Sequence, residues 1–368
     1  MISTAQEFQE LIARAMRTDC VGLDTEFVWE RTYYPNLGLI QLALSDEECF
    51  LIDPVAIDDL SLLGELLSNR KVVKILHDAP QDMTILSRAA GAIPRNIFDT
   101  RVAAGFSGLS STISLADLIA TLLDIDLKKT QTRTDWLKRP LDEKQISYAL
   151  DDVRYLRALR VLLLSRIVVP EIREWLKEEL SAADRADNLV GIDDQQRFLR
   201  IKGSSSLDPL ALSILKELAT WREQEARHIN RPRGHVIADN ILLSIARDRI
   251  DSTEKLKQSA LLSAKKLRRY DQKIIDCVKI GLSVEAEDRP EPRRPLRLNA
   301  REKTAYERLS SFVALKCELQ GLDPALIATT SELKQLAKNI DTPGSPLPEK
   351  LTGGWRKTFL EEFFRQRR

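Results

Sequence analysis

Residues 20–27, Cys20-Val21-Gly22-Leu23-Asp24-Thr25-Glu26-Phe27, read as a β-strand that carries two acids on one face. Side chains two apart in a strand point the same way, so Asp24 and Glu26 project together between the apolar Val21, Leu23 and Phe27. Acids are depleted from strand interiors. Two adjacent carboxylates repel, and burial raises the cost, unless a cation pairs with them. Working outward, 37–44 reads as a neighbouring strand, and 49–52, followed by Asp53-Pro54, as the end of a third. Residues 59–67 have helical spacing, 71–76 read as another strand, and 78–90 as a helix closed by Gly91. From about residue 99 onward the signals are mainly helical. Strands interleaved with helices predict an α/β domain.

The full chain has 368 residues, 43% of them apolar, with 56 Lys and Arg against 55 Asp and Glu. That composition suits a soluble protein of two or three domains. The net charge of +1 conceals a split. Residues 1–170 hold 19 basic and 24 acidic side chains, net −5, and residues 171–368 hold 37 and 31, net +6. An acidic front and a basic back point to a division of labour. The longest stretch without charge, 102–116, is rich in Gly and Ser, and a membrane span needs about 20 apolar residues. Glu7 and Glu10 stand where a signal peptide is basic and then apolar. Cys20, Cys49, Cys277 and Cys317 form no CxxC pair, which excludes a standard zinc finger and argues against a disulfide scaffold. A cytoplasmic protein with reduced thiols and no membrane association is expected.

Beyond residue 170 no strand signal is convincing. Residues 203–206 (GSSS) read as a linker into a helix capped by Asp208, and helical periodicity then runs to about 284. Residues 287–295 (EDRPEPRRP) form a charged, Pro-rich break, and a last helical stretch, 299–368, is interrupted at 341–348.

Two more places put acids where chemistry can use them. Asp82 falls early in the helix over 78–90, with Asp78 as the expected N-cap, Pro80 in the first turn and Gln81 three residues after the cap. His77 reads as a hydrogen-bonded packing residue. Residues 145–164 have strong helical character, so Tyr148 shares a face with Asp152, four residues on, and is also one turn from Asp151. Carboxylates in this number suit hard divalent cations, Mg²⁺ or Mn²⁺, rather than zinc. Two such ions about 4 Å apart clamp the attacking and leaving oxygens of an in-line phosphoryl displacement.

At these residues the chain resembles the DEDD exonuclease superfamily in its tyrosine-bearing branch, and within it the bacterial ribonuclease D family. LDTEFVWERTYYPNLGLIQLA (23–43) is similar to the first exonuclease segment of that family, KILHDAPQDMTIL (74–86) to the second, and QTRTDWLKRPLDEKQISYALDDVRYL (131–156) to the third with its lead-in. Residues 207–284 are similar to the HRDC domain, and the last 70 to a diverged second copy, so the resemblance covers essentially the whole chain. It implies an α/β exonuclease domain, an RNase H-like mixed five-stranded sheet with flanking helices, followed by two all-α HRDC-type helical domains. The implied division is 1–170 catalytic, 171–206 connector and linker, 207–286 first helical domain, 287–298 linker and 299–368 second helical domain. It further implies Asp24 and Glu26 as the first two metal ligands, Asp24 bridging both ions. Asp82 becomes the third carboxylate, supporting the second ion, Asp152 the fourth, on the first ion, and Tyr148 the tyrosine that positions the water. The four-residue spacing of the family pattern selects Asp152 over Asp151. Gln81 stands where many relatives have an acid, and it is not an implied ligand. The implied reaction is 3′-to-5′ hydrolysis of RNA from a free 3′ end, releasing 5′-mononucleotides and trimming tRNA precursors.

Substrate contacts are expected from Phe27 and Trp29, which with Tyr33 and Tyr34 cluster after the metal strand, where rings stack on terminal bases. Tyr34 is expected in the core. Arg133, Lys138 and Arg139 precede the third segment and are candidates for phosphate contact. Arg231 and Arg233, with Arg222 and Arg227, form one basic patch, and Lys265, Lys266, Arg268 and Arg269 a second. Such patches give affinity without sequence choice. Trp221 and Trp355 read as core residues. No obligate protein partner is evident. Two other readings use the same residues, an exonuclease for DNA and an inactive RNA-binding protein. No GxxxxGK[ST] phosphate loop is present, so the chain is not a helicase. Deleting 207–368 is expected to weaken binding of structured RNA more than cleavage of short single strands.

Overall fold

The structure is a computed structural model that describes residues 1–127, 134–184, 194–292, 296–340 and 345–365. The chain divides into two compact units. One comprises Met1–Val28, Leu37–Leu189 and Leu296–Arg368, and the other Trp29–Asn36 and Val190–Pro295.

In the first unit β1 (Cys20–Val28), β2 (Asn36–Ala43), β3 (Cys49–Ile52), β4 (Val73–Leu76) and β5 (Ile97–Asp99) form one sheet in the order β3-β2-β1-β4-β5. β4 runs parallel to β1, with Gly22 opposite Ile75, and parallel to β5, with Leu76 opposite Asp99. β3 is antiparallel to β2, so the sheet is mixed. The alternation of β1 separates two cores. Val21 and Leu23 pack with Ile40 and Leu42 against α1 (Ala5–Ala15), α2 (Ser61–Ser68) and α3 (Pro80–Ala90). On the opposite face Cys20, Ala43 and Ile75 meet α4 (Thr100–Phe106), α5 (Leu115–Leu123), α6 (Glu143–Arg154), α7 (Leu156–Arg166) and α8 (Pro170–Ala183).

Local expectations change at two points. The helix expected over 145–164 is broken at Tyr155 into α6 and α7, and α7 buries its own stripe of Leu156, Leu159 and Leu163. Asp78 is not the N-cap of α3. Its backbone is left-handed, with φ of 62°, and the cap position falls on Ala79, which makes no side-chain bond. The N–H groups of Asp78 and Ala79 donate instead to the Asp99 carboxylate, at 3.2 and 2.9 Å, and the Asp78 carboxylate pairs with Arg101.

The largest departure concerns 299–368. Among the described residues its helices, including Ala300–Gln320, Thr330–Asn339 and Gly354–Arg365, build no separate core. Val313, Leu326, Trp355 and Phe359 enter the core formed by Phe106, Ile172, Trp175 and Leu176. The Trp355 ring lies 5.1 Å from Phe106 and stacks on Trp175 at 5.6 Å. Glu179 takes two bonds of 2.7 Å from the Arg356 guanidinium and one of 2.7 Å from Trp355 Nε1. A Cβ at Gly105 would meet Leu326 Cδ1 at 2.8 Å, so α4 can approach this segment only without a side chain there. Periodicity in 299–368 announces an apolar face but not its partner. The physical partner is the core formed by α4 and α8 of the same unit.

In the second unit the long helix Pro209–His228 starts at Asp208, whose carboxylate accepts from the Ala211 N–H at 2.9 Å as expected. It packs against Asp239–Arg247 and Ala264–Leu282, and Trp221 meets Tyr270 edge to face at 5.4 Å. The segment between β1 and β2 folds with these helices. The Tyr33 hydroxyl donates to Glu223, which is 1% exposed, and accepts from Arg227 at 3.3 Å, while Asn230 Oδ1 accepts from the Tyr33 N–H at 3.1 Å. No helix among the described residues is long and apolar enough to cross a membrane.

Candidate active site

Gly22, Asp24 and Glu26 share the face of β1 that meets α6. A Cβ at Gly22 would sit 3.1 Å from the Val153 carbonyl oxygen. The glycine therefore lets α6 approach the strand, and the approach carries Tyr148 and Asp152 to the two strand acids. A capping box fixes the start of α6. The Asp142 carboxylate accepts from the Gln145 N–H at 2.8 Å, and the Gln145 side chain accepts from the Asp142 N–H at 2.9 Å. Asp24, Glu26 and Asp152 each bring a carboxylate oxygen within 4.8 Å of the others, the one such group among the described residues. Asp151 points elsewhere and pairs with Arg154 at 3.3 Å.

Asp82 is not in that group of three. It enters from the first turn of α3, on the other face of the sheet, and its carboxylate accepts from the Thr25 hydroxyl. Even so, Asp24, Thr25, Glu26, Phe27, His77, Asp82 and Tyr148 line one cavity of about 500 Å³. His77 packs as expected, bonded to Thr100 Oγ1 at 2.9 Å and to the Ile113 carbonyl at 3.1 Å. Thr25 and Asp99 escaped the sequence reading. Strand alternation puts Thr25 on the face away from Asp24 and Glu26, and no local signal marks a partner 57 residues on.

Burial, followed by the charges of Asp82, Asp152 and Glu26, pushes the Asp24 carboxyl well above the usual carboxylate range. Burial and then Asp152 and Asp82 push Glu26 up to about 8. Burial raises Asp152 to about 7 against the opposing Tyr148 bond, and raises Asp82 to about 6 against the opposing Thr25 bond. Burial, with Asp152 next, raises the Tyr148 hydroxyl too, keeping it protonated as a hydrogen-bonding group. Among the described residues no Lys or Arg forms an ion pair with any of the four acids. A cluster of oxygen donors short of positive charge fits hard divalent cations.

An acid whose pKa is higher folded than unfolded binds more protons when folded, so stability falls as pH rises between the two values. Metal-free protein is therefore expected to lose thermal stability from the ordinary carboxylate range near pH 4 up to about pH 8. Added Mn²⁺ should return that stability, with the larger gain at pH 8. Thermal unfolding in chelator, then with the ion restored, measures both. A level metal-free unfolding temperature, with equal gains at both ends, would refute the expectation.

The residues expected to meet RNA fare differently. Phe27 lines the cavity, half-buried. Trp29 is 49% exposed and is held by an Nε1 bond to the Tyr33 carbonyl at 2.9 Å. Tyr34 is half-buried, edge-on to Tyr33 at 4.7 Å. Arg133 lies outside the described residues. Arg139 is a correction. Its guanidinium makes a fork to buried Asp53 at 2.7 and 2.6 Å and donates to the carbonyls of Gly38 and Trp136, which ties the lead-in of α6 to the sheet. Arg222 also leaves the basic patch, because it is buried and donates to the Ile237 carbonyl at 2.9 Å and to Asp239 at 2.6 Å. Arg227 pairs with Asp194 at 2.8 Å and Arg269 with Glu225 at 3.1 Å. Arg231 is exposed and donates to the Arg31 carbonyl at 3.2 Å, and exposed Arg233 lies 3.6 Å from Glu223. Lys265 and Arg268 are exposed. Trp355 is buried, as expected.

The sequence matches the 3′-5′ exonuclease family over residues 1–167 and the HRDC domain family over 211–278. Ribonuclease D of Desulfotalea psychrophila is 50% identical over 364 residues, 99% of this chain and 97% of that protein. Ribonuclease D of Pseudomonas paraeruginosa is 33% identical over 92% of this chain and 89% of its own. Among solved structures, Escherichia coli RNase D, described as an exoribonuclease involved in structured RNA processing, has a TM-score of 0.84 and 28% identity, covering 100% of this chain and 97% of that one. With its carboxylates gathered on a mixed exonuclease sheet and with relatives alike over nearly its whole length, the chain belongs to the ribonuclease D family of 3′-5′ exoribonucleases.

Proposed function

We propose that the protein trims the 3′ ends of tRNA precursors and other structured RNAs in the cytoplasm, releasing 5′-mononucleotides, with two Mg²⁺ or Mn²⁺ ions as cofactors. The observation that carries the reading is the convergence of Asp24, Glu26 and Asp152 within 4.8 Å. Asp24, Glu26 and Asp152, with Asp82 across the cavity, would hold the ions. Divalent ions bound there supply positive charge to the attacking and leaving oxygens of an in-line displacement. Tyr148, beside Asp152 and protonated, orients the attacking water by hydrogen bonding. Phe27 and Trp29 stack on the terminal bases, while Arg231, Arg233, Lys265 and Arg268 attract backbone phosphate. The structured-RNA role of the Escherichia coli relative supports the substrate class.

The test is digestion of matched RNA and DNA strands, and of a tRNA precursor with a 3′ extension, in Mg²⁺, Mn²⁺ or chelator. Mononucleotide release from both RNAs, little from DNA, and none in chelator is the expected outcome. Faster release from DNA, or an intact precursor extension, would overturn the substrate assignment.

A further inference from the structure

The triplet Asp24-Thr25-Glu26 divides between the two faces of β1. Its acids turn toward α6, and Thr25, of opposite parity, turns toward α3. Thr25 is 5% exposed and Asp82 8% exposed, and the hydroxyl of the first donates to Oδ1 of the second. Asp82 projects from a helix that shares no core with α6, so nothing in the packing that brings Asp152 to the strand also fixes Asp82. Carboxylates that serve an ion are commonly oriented by a second hydrogen bond. In this protein the bond comes from the strand that bears two of the other acids.

We infer that Thr25 is a positioning residue, its hydroxyl fixing the Asp82 carboxylate so that one strand sets the geometry of Asp24, Glu26 and Asp82, three of the four ion-binding acids. The inference rests on the ion-binding reading of Asp24, Glu26, Asp82 and Asp152. Thr25 acts through Asp82. One consequence distinguishes it from a packing role. Loss of the hydroxyl should matter only while Asp82 can still bind an ion.

The experiment uses the full chain in four variants, Thr25→Val, Thr25→Ser, Asp82→Asn and the double Thr25→Val/Asp82→Asn. Mn²⁺ affinity is measured by calorimetry without RNA, beside the Mn²⁺ dependence of cleavage and thermal unfolding in chelator. Thr25→Val, which keeps the shape and deletes the hydroxyl, should weaken Mn²⁺ binding by about 10-fold, the low end of such orienting contacts. Thr25→Ser should stay within about 3-fold of wild type, because it keeps the donor. The double variant should bind Mn²⁺ no more weakly than Asp82→Asn. Wild-type affinity in Thr25→Val, an equal loss in Thr25→Ser, or additive losses in the double variant would each overturn the inference. Asp24→Asn serves as the control for the reading beneath it. If that variant keeps Mn²⁺ binding and cleavage, the ion site itself is misassigned. If it loses both while Thr25→Val loses neither, only the role of Thr25 falls.

Discussion

Asp24→Asn is expected to abolish cleavage of 3′-hydroxyl RNA, lowering kcat by about 10³-fold or more, on the scale of losing a central electrostatic contact, while making the metal-free protein more stable at pH 8. The two effects have opposite signs because they have one cause. Asp24 is crowded by Asp82, Asp152 and Glu26, and burial with these charges holds its carboxyl well above the ordinary range. Asparagine keeps the size and removes the charge. At pH 8 the wild-type site carries the repulsion that stability linkage assigns to raised acids, and the variant carries less of it. The same neutral amide no longer offers an anionic oxygen within 4.8 Å of Glu26 and Asp152. Mononucleotide release and thermal unfolding in chelator read the two effects separately. Wild-type turnover, or a lower metal-free unfolding temperature at pH 8, would contradict the site assignment.

A chain ending at residue 295 is expected to lose the catalytic fold altogether. Phe106, Ile172, Trp175 and Leu176 are buried in a core shared with Leu326, Trp355 and Phe359. Each would forgo about 1.5–3 kcal/mol of burial, roughly 6–12 kcal/mol for the four, against a domain stability of about 5–15 kcal/mol. Glu179 would also lose the guanidinium fork of Arg356 and the indole N–H of Trp355. Circular dichroism and thermal unfolding of the truncated chain test this. A soluble fragment with a cooperative transition and undiminished cleavage of short single strands would refute it. The earlier expectation that deleting 207–368 separates RNA affinity from turnover therefore gives way, since the deletion removes part of the catalytic core. The affinity question belongs to exposed side chains such as Lys265 and Arg268.

The strand bearing Asp24 and Glu26 and the helix bearing Tyr148 were legible because their signals are local. Alternation places Asp24 and Glu26 together, and a four-residue step places Tyr148 with Asp152. The choice of Asp152 over Asp151 came from resemblance, and only the structure gives Asp151 its occupation with Arg154. β5 was illegible because three residues show no alternation. Asp78 looked like a cap because caps are read from spacing, whereas its partners Asp99 and Arg101 are brought by the fold. Arg139 looked free for phosphate because Asp53 lies 86 residues earlier in the chain. Thr25 was overlooked for the same reason, since its partner enters from the opposite face of the sheet.

The shared core also sets an order of events during synthesis. All four acids and the tyrosine have been synthesised once residue 152 is made, yet Phe106 and Trp175 wait for Trp355 and Phe359 to cover them. At about 5–20 residues per second, those roughly 200 intervening residues take about 10–40 s. Through that interval a nascent chain holds the four acids and Tyr148 without the core that Trp355 and Phe359 complete. A nuclease still tethered to its own messenger thus matures only after residues 326–359 have joined that core.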